Sequence, residues 1–444
     1  MLTVLANRTY RNLFLAQVIA LIGTGLATVA LGLLAFDIAG ADSGAVLGTA
    51  MAIKMVAYIG VAPVVGAFAS RLPRRGFLVA MDVVRGLAAL ALPFVDQVWQ
   101  IYVLIFVLQS ASAGFTPTFQ ATIPDILPDE KDYTRALSLS RMAYDLESLL
   151  SPVLAAVLLT VINFHWLFGG TSIGFAISAL LVLSVVLPRS TAAPPSGGIY
   201  DKTTRGIRIY LKTPRLRGLL AITLAAAAAS AMVIVNTPVL VQSALGLGQR
   251  EVALTLAAFG GGSMLSALIL PRLLDRISDR WVMLAGSAAL VVVLAALAAS
   301  WGTHLRPAYW GFMLVAWVLL GIGYSATVTP GGRLLRRSSA SEDRPALFAA
   351  QFALSHVCWL IAYPLAGQLG ALVGFGAAFA VCAALAAFGL GISILIWPSA
   401  DPDVVDHAHD DLPFDHQHLV NDHAGGKAHH AFVIDDLHSA WPGR

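Results

Sequence analysis

Between Pro398 and Arg444 the chain carries eight of its eleven histidines: His407, His409, His416, His418, His423, His429, His430 and His438. Nine aspartates are interleaved with them. Neutral imidazole and carboxylate together suit nickel, cobalt, copper and zinc. The pairs His407/His409 and His416/His418 put two imidazoles on one short segment. No zinc-finger spacing occurs, which excludes a structural zinc module. The stretch is polar, glycine-containing and aperiodic, so a disordered metal-binding tail is expected over residues 398–444. A purification tag would not disperse its histidines among aspartates. A merely solubilising tail would not need eight imidazoles.

A second set of reactive side chains lies inside apolar runs, where each ionisable group is a candidate for function. Lys54 sits in "MAIKMVAY", flanked by Met51 and Met55. Arg141, Asp145 and Glu147 sit in "SRMAYDLESLL". Arg141 and Asp145 are four apart and share a helical face, so they can pair. Glu147 lies about 200° around the helix from Asp145, so the two carboxylates cannot chelate one ion from a regular helix. Glu147 is left without a local partner and is read as substrate- or proton-linked. The competing reading is an ion-pair network with a group such as Lys54. His356 and Cys358, in "LSHVCWL", offer borderline and soft metal ligands that could join Met51 and Met55. Methionine and cysteine in such helices are also common packing residues. Asn236, in "VNTP", is a polar group beside a helix-breaking proline, a pattern that often lines transporter sites.

The elements that must position these groups follow from composition. Of 444 residues, 58% are hydrophobic and 12% charged, about half the charged share of a soluble domain. Runs such as Leu13–Phe36 and Leu167–Leu187 contain no Lys, Arg or Glu and match the roughly 20 residues that span a bilayer. Twelve runs are expected: 12–36, 45–69, 76–95, 99–119, 136–160 and 165–187, then 218–242, 250–270, 281–300, 307–329, 346–370 and 374–397. The first run is too long for a signal-peptide core. The two cysteines, Cys358 and Cys382, imply no disulfide framework.

Lys and Arg alternate sides along this series. One side holds Arg8, Arg11, Arg71, Arg74, Arg75, Lys131, Arg135, the basic connector, Arg272, Arg276, Arg280, Arg333, Arg336, Arg337 and Arg344. The other holds Arg250 and Arg306. The positive-inside rule makes the first side cytoplasmic, with both termini and the histidine tail. An all-α membrane protein is expected: a six-helix bundle over 1–187, a cytoplasmic linker over 188–217, a second six-helix bundle over 218–397, and the tail.

The loop "GAFASRLPRRG" (Gly66–Gly76) resembles the signature of the major facilitator superfamily, where a glycine lets two helices approach and an acid–base cluster latches the loop. Gly66, Arg71, Arg74 and Arg75 match. Ser70 stands where an aspartate is usual, and Asp82 with Arg85 could supply a replacement pair. The first half is similar to the exporter branch that includes siderophore and nickel-resistance permeases, through "NRTYRNLFLAQ", "FTPTFQATIPDILP" and "RALSLSRMAYDLESLLSP". The second half resembles it through "GGRLLRR" and "YPLAGQLG". The resemblance spans residues 7–397 and implies two pseudo-symmetric bundles rocking around a midplane site, coupled to protons.

No phosphate-binding loop of the Walker type is present, so ATP is not the expected driver. Taken together, these features predict a non-enzymatic proton antiporter of the inner membrane. Its cargo would be a divalent transition metal, nickel or cobalt, exported from the cytoplasm. It would act as a monomer, embedded in lipid, with no nucleic acid and no resident cofactor. Siderophore or multidrug export is the alternative cargo class, and a non-transporting metal sensor is the alternative class of protein.

Overall fold

The structure, a computed structural model, describes residues 2–39, 43–69, 73–188, 199–301, 308–401, 404–407, 428–435, 437–438 and 441. The first half contains α1 (Arg8–Ala39), α2 (Ser43–Ala69), α3 (Arg74–Ala91), α4 (Val98–Ile126), α5 (Glu130–Leu158) and α6 (His165–Leu183). After the connecting helix α7 (Ile199–Lys212) come α8 (Pro214–Val239), α9 (Gln249–Leu274), α10 (Asp279–Ser300), α11 (Ala308–Val328), the short α12 (Gly331–Arg337), α13 (Arg344–Leu372) and α14 (Phe375–Ile396). Among the described residues ten helices are long and apolar enough to cross a membrane. α2 and α5 complete two sets of six. α5 falls short on composition because Glu130, Lys131, Asp132, Arg135, Arg141, Asp145 and Glu147 all lie on it. The outward faces are apolar: Leu87, Val103, Ile173, Leu180, Val292, Val315 and Phe388 are exposed. A water-soluble bundle would turn such residues inward.

The two halves repeat one packing plan. α1 packs on α6 and α5, α3 on α6 and α4, and α2 on α4. The equivalent pairs recur as α8 with α14 and α13, α10 with α14 and α11, and α9 with α11. The main contacts between the halves obey the same symmetry, since α2 meets α13 and α5 meets α9. That is the pattern of two inverted or parallel repeats facing each other across a pathway. Small residues set the closest approaches. A Cβ added to Gly262 or Gly321 would run into the backbone of the opposite helix, so these two glycines let α9 and α11 touch main chain to main chain.

The halves are joined at the arginine-rich end. Arg344 pairs with Asp125, and Arg336 and Arg333 reach Glu130 at 3.0 and 3.1 Å. The Tyr133 hydroxyl donates to the Gly332 carbonyl at 3.1 Å, and Arg333 donates to Thr134 Oγ1 at 2.7 Å. At the opposite end each half keeps its own apolar core. One is built around Leu26, Leu34 and Ile101, the other around Leu290, Trp317 and Phe379.

Two expectations need correction. The connector is not a plain polar loop. α7 is amphipathic, and its Ile209 and Tyr210 enter the core at the arginine-rich end. The tail is not wholly disordered either. β1 (Val404–His407) pairs antiparallel with β2 (Ala428–Ala431), with Asp406 opposite His429 and Val405 opposite His430. Beyond β2, Phe432, Ile434 and Trp441 pack on the same core as Tyr210, Leu216 and Leu335. The tail's average composition is polar, but these three apolar side chains are enough to fasten its end.

Candidate functional site

The side chains facing the other half at mid-depth come from α2, α5 and α13. The spacing of four on α5 puts Arg141 and Asp145 on one face, where they form an ion pair. The pair points to the second half: Arg141 Nε donates to Ser263 Oγ on α9 at 3.2 Å, and its guanidinium lies 4.8 Å from the centre of the Tyr324 ring on α11. Asp145 is buried.

Glu147 faces the other way. Its Oε1 lies 2.8 Å from the place a Cβ on Gly25 would occupy, and Ser151 crowds the same spot. Gly25 of α1 therefore makes room for a carboxylate. Lys54 stands on α2, which packs on both α1 and α13. No ion pair between Lys54 and Glu147 is formed among the described residues.

Lys54 leans over Tyr58, with Nζ 5.5 Å from the ring centre. Tyr58 links the halves. Its hydroxyl donates to Gln109 Oε1 at 2.8 Å, and its ring meets Phe352 at 4.8 Å and His356 edge-on at 4.7 Å. His356 Nδ1 lies 2.6 Å from the Phe352 carbonyl, and Trp359 is 6.1 Å away ring to ring. This seam is aromatic with a few polar tips, a surface suited to positioning solutes. In the first half a separate small cleft of about 40 Å³ is lined by Gln17, Thr24, Arg85, Phe115, Phe119 and Tyr144.

The structure does not assemble the metal set read from sequence. Cys358 lies two residues from His356 and so turns into the second-half core, with its thiol on the Leu354 carbonyl. Met51 packs in the opposite, first-half core, and Met55 is half-buried on α2. Among the described residues no three His, Cys, Asp or Glu side chains converge on a metal position. Asn236 is buried and spans two helices, donating to the Ala366 carbonyl at 3.1 Å. It is a packing group between α8 and α13. His438 is also buried, with Nδ1 2.8 Å from Asp435 Oδ1, rather than hanging from a loose segment. The backbones of His407, His429 and His430 lie in the ribbon, while His409, His416, His418 and His423 fall outside the described residues.

The loop latch differs in its acid. Arg71 lies outside the described residues, and Gly66 closes the last turns of α2. Arg75 donates to the Leu183 carbonyl. Asp82 and Arg85 do pair, but deep in the first half: Ser178 donates to Asp82 at 2.8 Å, and Arg85 lies between Phe115 and Phe175. They cannot serve a surface loop. The partner of Arg74 is Asp125, at 2.5 Å, and the other oxygen of the same carboxylate takes Arg344 across the seam. Asp125, in "TIPDILP", and the arginines of "GGRLLRR" lie in stretches that carry the family resemblance, and the pairing of Asp125 with Arg74 and Arg344 was not among the expectations. A carboxylate at the end of a span beside a basic loop was the available signal.

Two six-helix halves related by symmetry and latched at a basic end find their counterpart in known sequences. The chain matches the Major Facilitator Superfamily over residues 13–248 and again over residues 219–420. The chain belongs to that superfamily. It is therefore a multi-pass membrane protein of the secondary-transporter type. It is 23% identical over 332 residues to YfiS, an uncharacterized MFS-type transporter of Bacillus subtilis (strain 168), covering 73% of this chain and 78% of that protein. It is 24% identical over 153 residues to macrolide efflux protein A of Enterococcus faecalis, or 32% of this chain and 47% of that protein. The human organic anion transporter TETRAN has the same fold, with a TM-score of 0.74, 14% identity, and coverage of 87% of this chain and 99% of that one. So does a bacterial homologue of the iron transporter ferroportin in its outward-facing state, with a TM-score of 0.72, 14% identity, and coverage of 87% and 98%.

Proposed function

We propose that this transporter exports a divalent transition-metal ion, nickel or cobalt, from the cytoplasm across the inner membrane in exchange for protons. The observation that carries the reading is the tail: eight histidines and nine aspartates in its last residues. The antiparallel pairing of β1 with β2 adds support. It sets Asp406 opposite His429 and Val405 opposite His430, and four more histidines fall between the two strands in the sequence. Imidazole and carboxylate donors this close together in the sequence suit a borderline divalent ion. Glu147 is the proposed proton carrier. It sits at mid-depth against Gly25, within the field of Lys54, and protonation would release its hold on that cation. The cargo competes with the proton for the same local charge.

A second reading has its own support. The Tyr58, Phe352, His356 and Trp359 surface is aromatic, and macrolide efflux proteins are among the relatives. An amphiphilic organic compound is the cargo in that case.

Energised vesicles decide between them. Everted vesicles carrying the protein should accumulate nickel when an inward-acid pH gradient is imposed and lose the activity when the gradient is collapsed. Movement of a macrolide without nickel would replace the metal reading. Greater nickel retention in expressing cells than in control cells would reverse the direction.

A further inference from the structure

The end of the chain is tied to the seam between the halves by a continuous series of contacts. Phe432 and Ile434 are buried, 3% and 5% exposed, in the core at the arginine-rich end. Asp435 organises the following turn, accepting from the backbone N–H groups of Leu437 and His438 at 2.9 and 2.7 Å. The His438 and Trp441 rings stack edge-on against Phe432 at 4.6 and 5.1 Å. Trp441 in turn covers Arg215, whose guanidinium is 5.4 Å from the ring centre. Arg215 is buried and pairs with Asp401 at 3.1 Å.

Asp401 carries the connection onward. Its other oxygen is 3.9 Å from Arg337 of α12, and Arg337 also pairs with Asp279 at 3.1 Å. Asp279 holds Arg333 at 2.9 Å, and Arg333 reaches Glu130 of the first half. α12 is only seven residues long. Its three arginines thus stand between the docked tail on one side and the opposite bundle on the other. We infer that the docked residues Phe432, Ile434, Asp435, His438 and Trp441, together with Asp401, form a built-in clamp that favours the conformation closed at the arginine-rich end. The cargo's identity plays no part in this.

The physical reason is the position of α12. With the tail docked, Asp401 and Asp279 orient the arginines so that Arg333 and Arg336 meet Glu130. With the tail released, Trp441 leaves Arg215, so the guanidinium that holds Asp401 is uncovered and Asp401 is less firmly placed beside Arg337. The seam then opens more readily, because the arginines of α12 are less firmly aimed at Glu130, whose carboxylate is 42% exposed and whose ion pairs are screened by solvent.

The test uses the folded, full-length protein with a protease site inserted within residues 411–420. Spin labels go at Lys131→Cys and Ser341→Cys, exposed positions on either side of the seam. The native Cys358 and Cys382 are buried. After cleavage the C-terminal fragment should remain bound through size exclusion. The pair Phe432→Ala and Trp441→Ala should release it from protein that folded before the cut. Release should raise the population with a long label-to-label distance by about tenfold, the usual scale of coupling between sites. Asp401→Asn in the uncut chain should shift the same distribution in the same direction. Immediate loss of the unsubstituted fragment would overturn the docking. Release without a change in the distance distribution would overturn the clamp.

Discussion

At the residue scale the decisive contrast is between two carboxylates on one helix. Asp145 is 2% exposed and neutralised by Arg141, so it belongs to the packing of α5 against α9 and to the contact of Arg141 with Tyr324 of α11. Asp145→Asn leaves a guanidinium uncompensated in the interior, at a cost of about 3–5 kcal/mol. The expected outcome is a sharp fall in the amount of folded protein recovered from membranes. Glu147 has no such duty, and Glu147→Gln keeps the shape while removing the titratable charge. Folding yield should be unchanged and proton-coupled transport should fall to background in vesicles; normal coupled transport would remove Glu147 from the mechanism. Gly25 gives an independent probe of the same spot. Gly25→Leu forces a side chain into the space of Ser151 and Glu147. Overpacking of this kind costs about 1–3 kcal/mol, and transport should drop more than expression does.

At the scale of elements, the tail holds a histidine-rich stretch and a docked end, and the two can be tested apart. Cutting the chain after Trp397 removes Asp401 and the docked residues as well as the histidines, so truncation mixes two effects. Replacing only the histidines from His407 to His430 by alanine isolates the histidine-rich stretch. A tethered donor set raises local ligand concentration and acts most when cargo is scarce. The half-saturating nickel concentration should therefore rise about tenfold or more, with the maximal rate nearly constant. Initial rates across a nickel series read both quantities. An unchanged half-saturation point would show that the histidines do not collect cargo.

For the whole molecule, the structure is a state closed at the arginine-rich end. Asp125 binds a cation on each half, Arg74 and Arg344. Asp125→Asn weakens two charged hydrogen bonds, each of about 1.5–3 kcal/mol. At 1.4 kcal/mol per decade, this shifts the balance toward opening by about tenfold or more. Solvent labelling of a cysteine placed on the seam should speed up accordingly, and an unchanged labelling rate would mean that Asp125 does not hold the closure.

The sequence by itself determined the two sets of six long helices, because length and hydropathy are properties of single segments and need no partner. It also determined that Arg141 would share a face with Asp145 while Glu147 would not, since helical geometry is local. Tertiary structure alone decided which groups meet across the halves. Asp125 lies far along the chain from both Arg74 and Arg344, and no spacing rule joins them. Cys358 was separated from His356 because two positions apart on a helix means opposite sides, and packing chose which side faced the seam. The fastening of the tail was hidden for a related reason. Its average composition is polar, yet Phe432, Ile434 and Trp441 find an apolar surface that exists only once α7, α8 and α12 have come together.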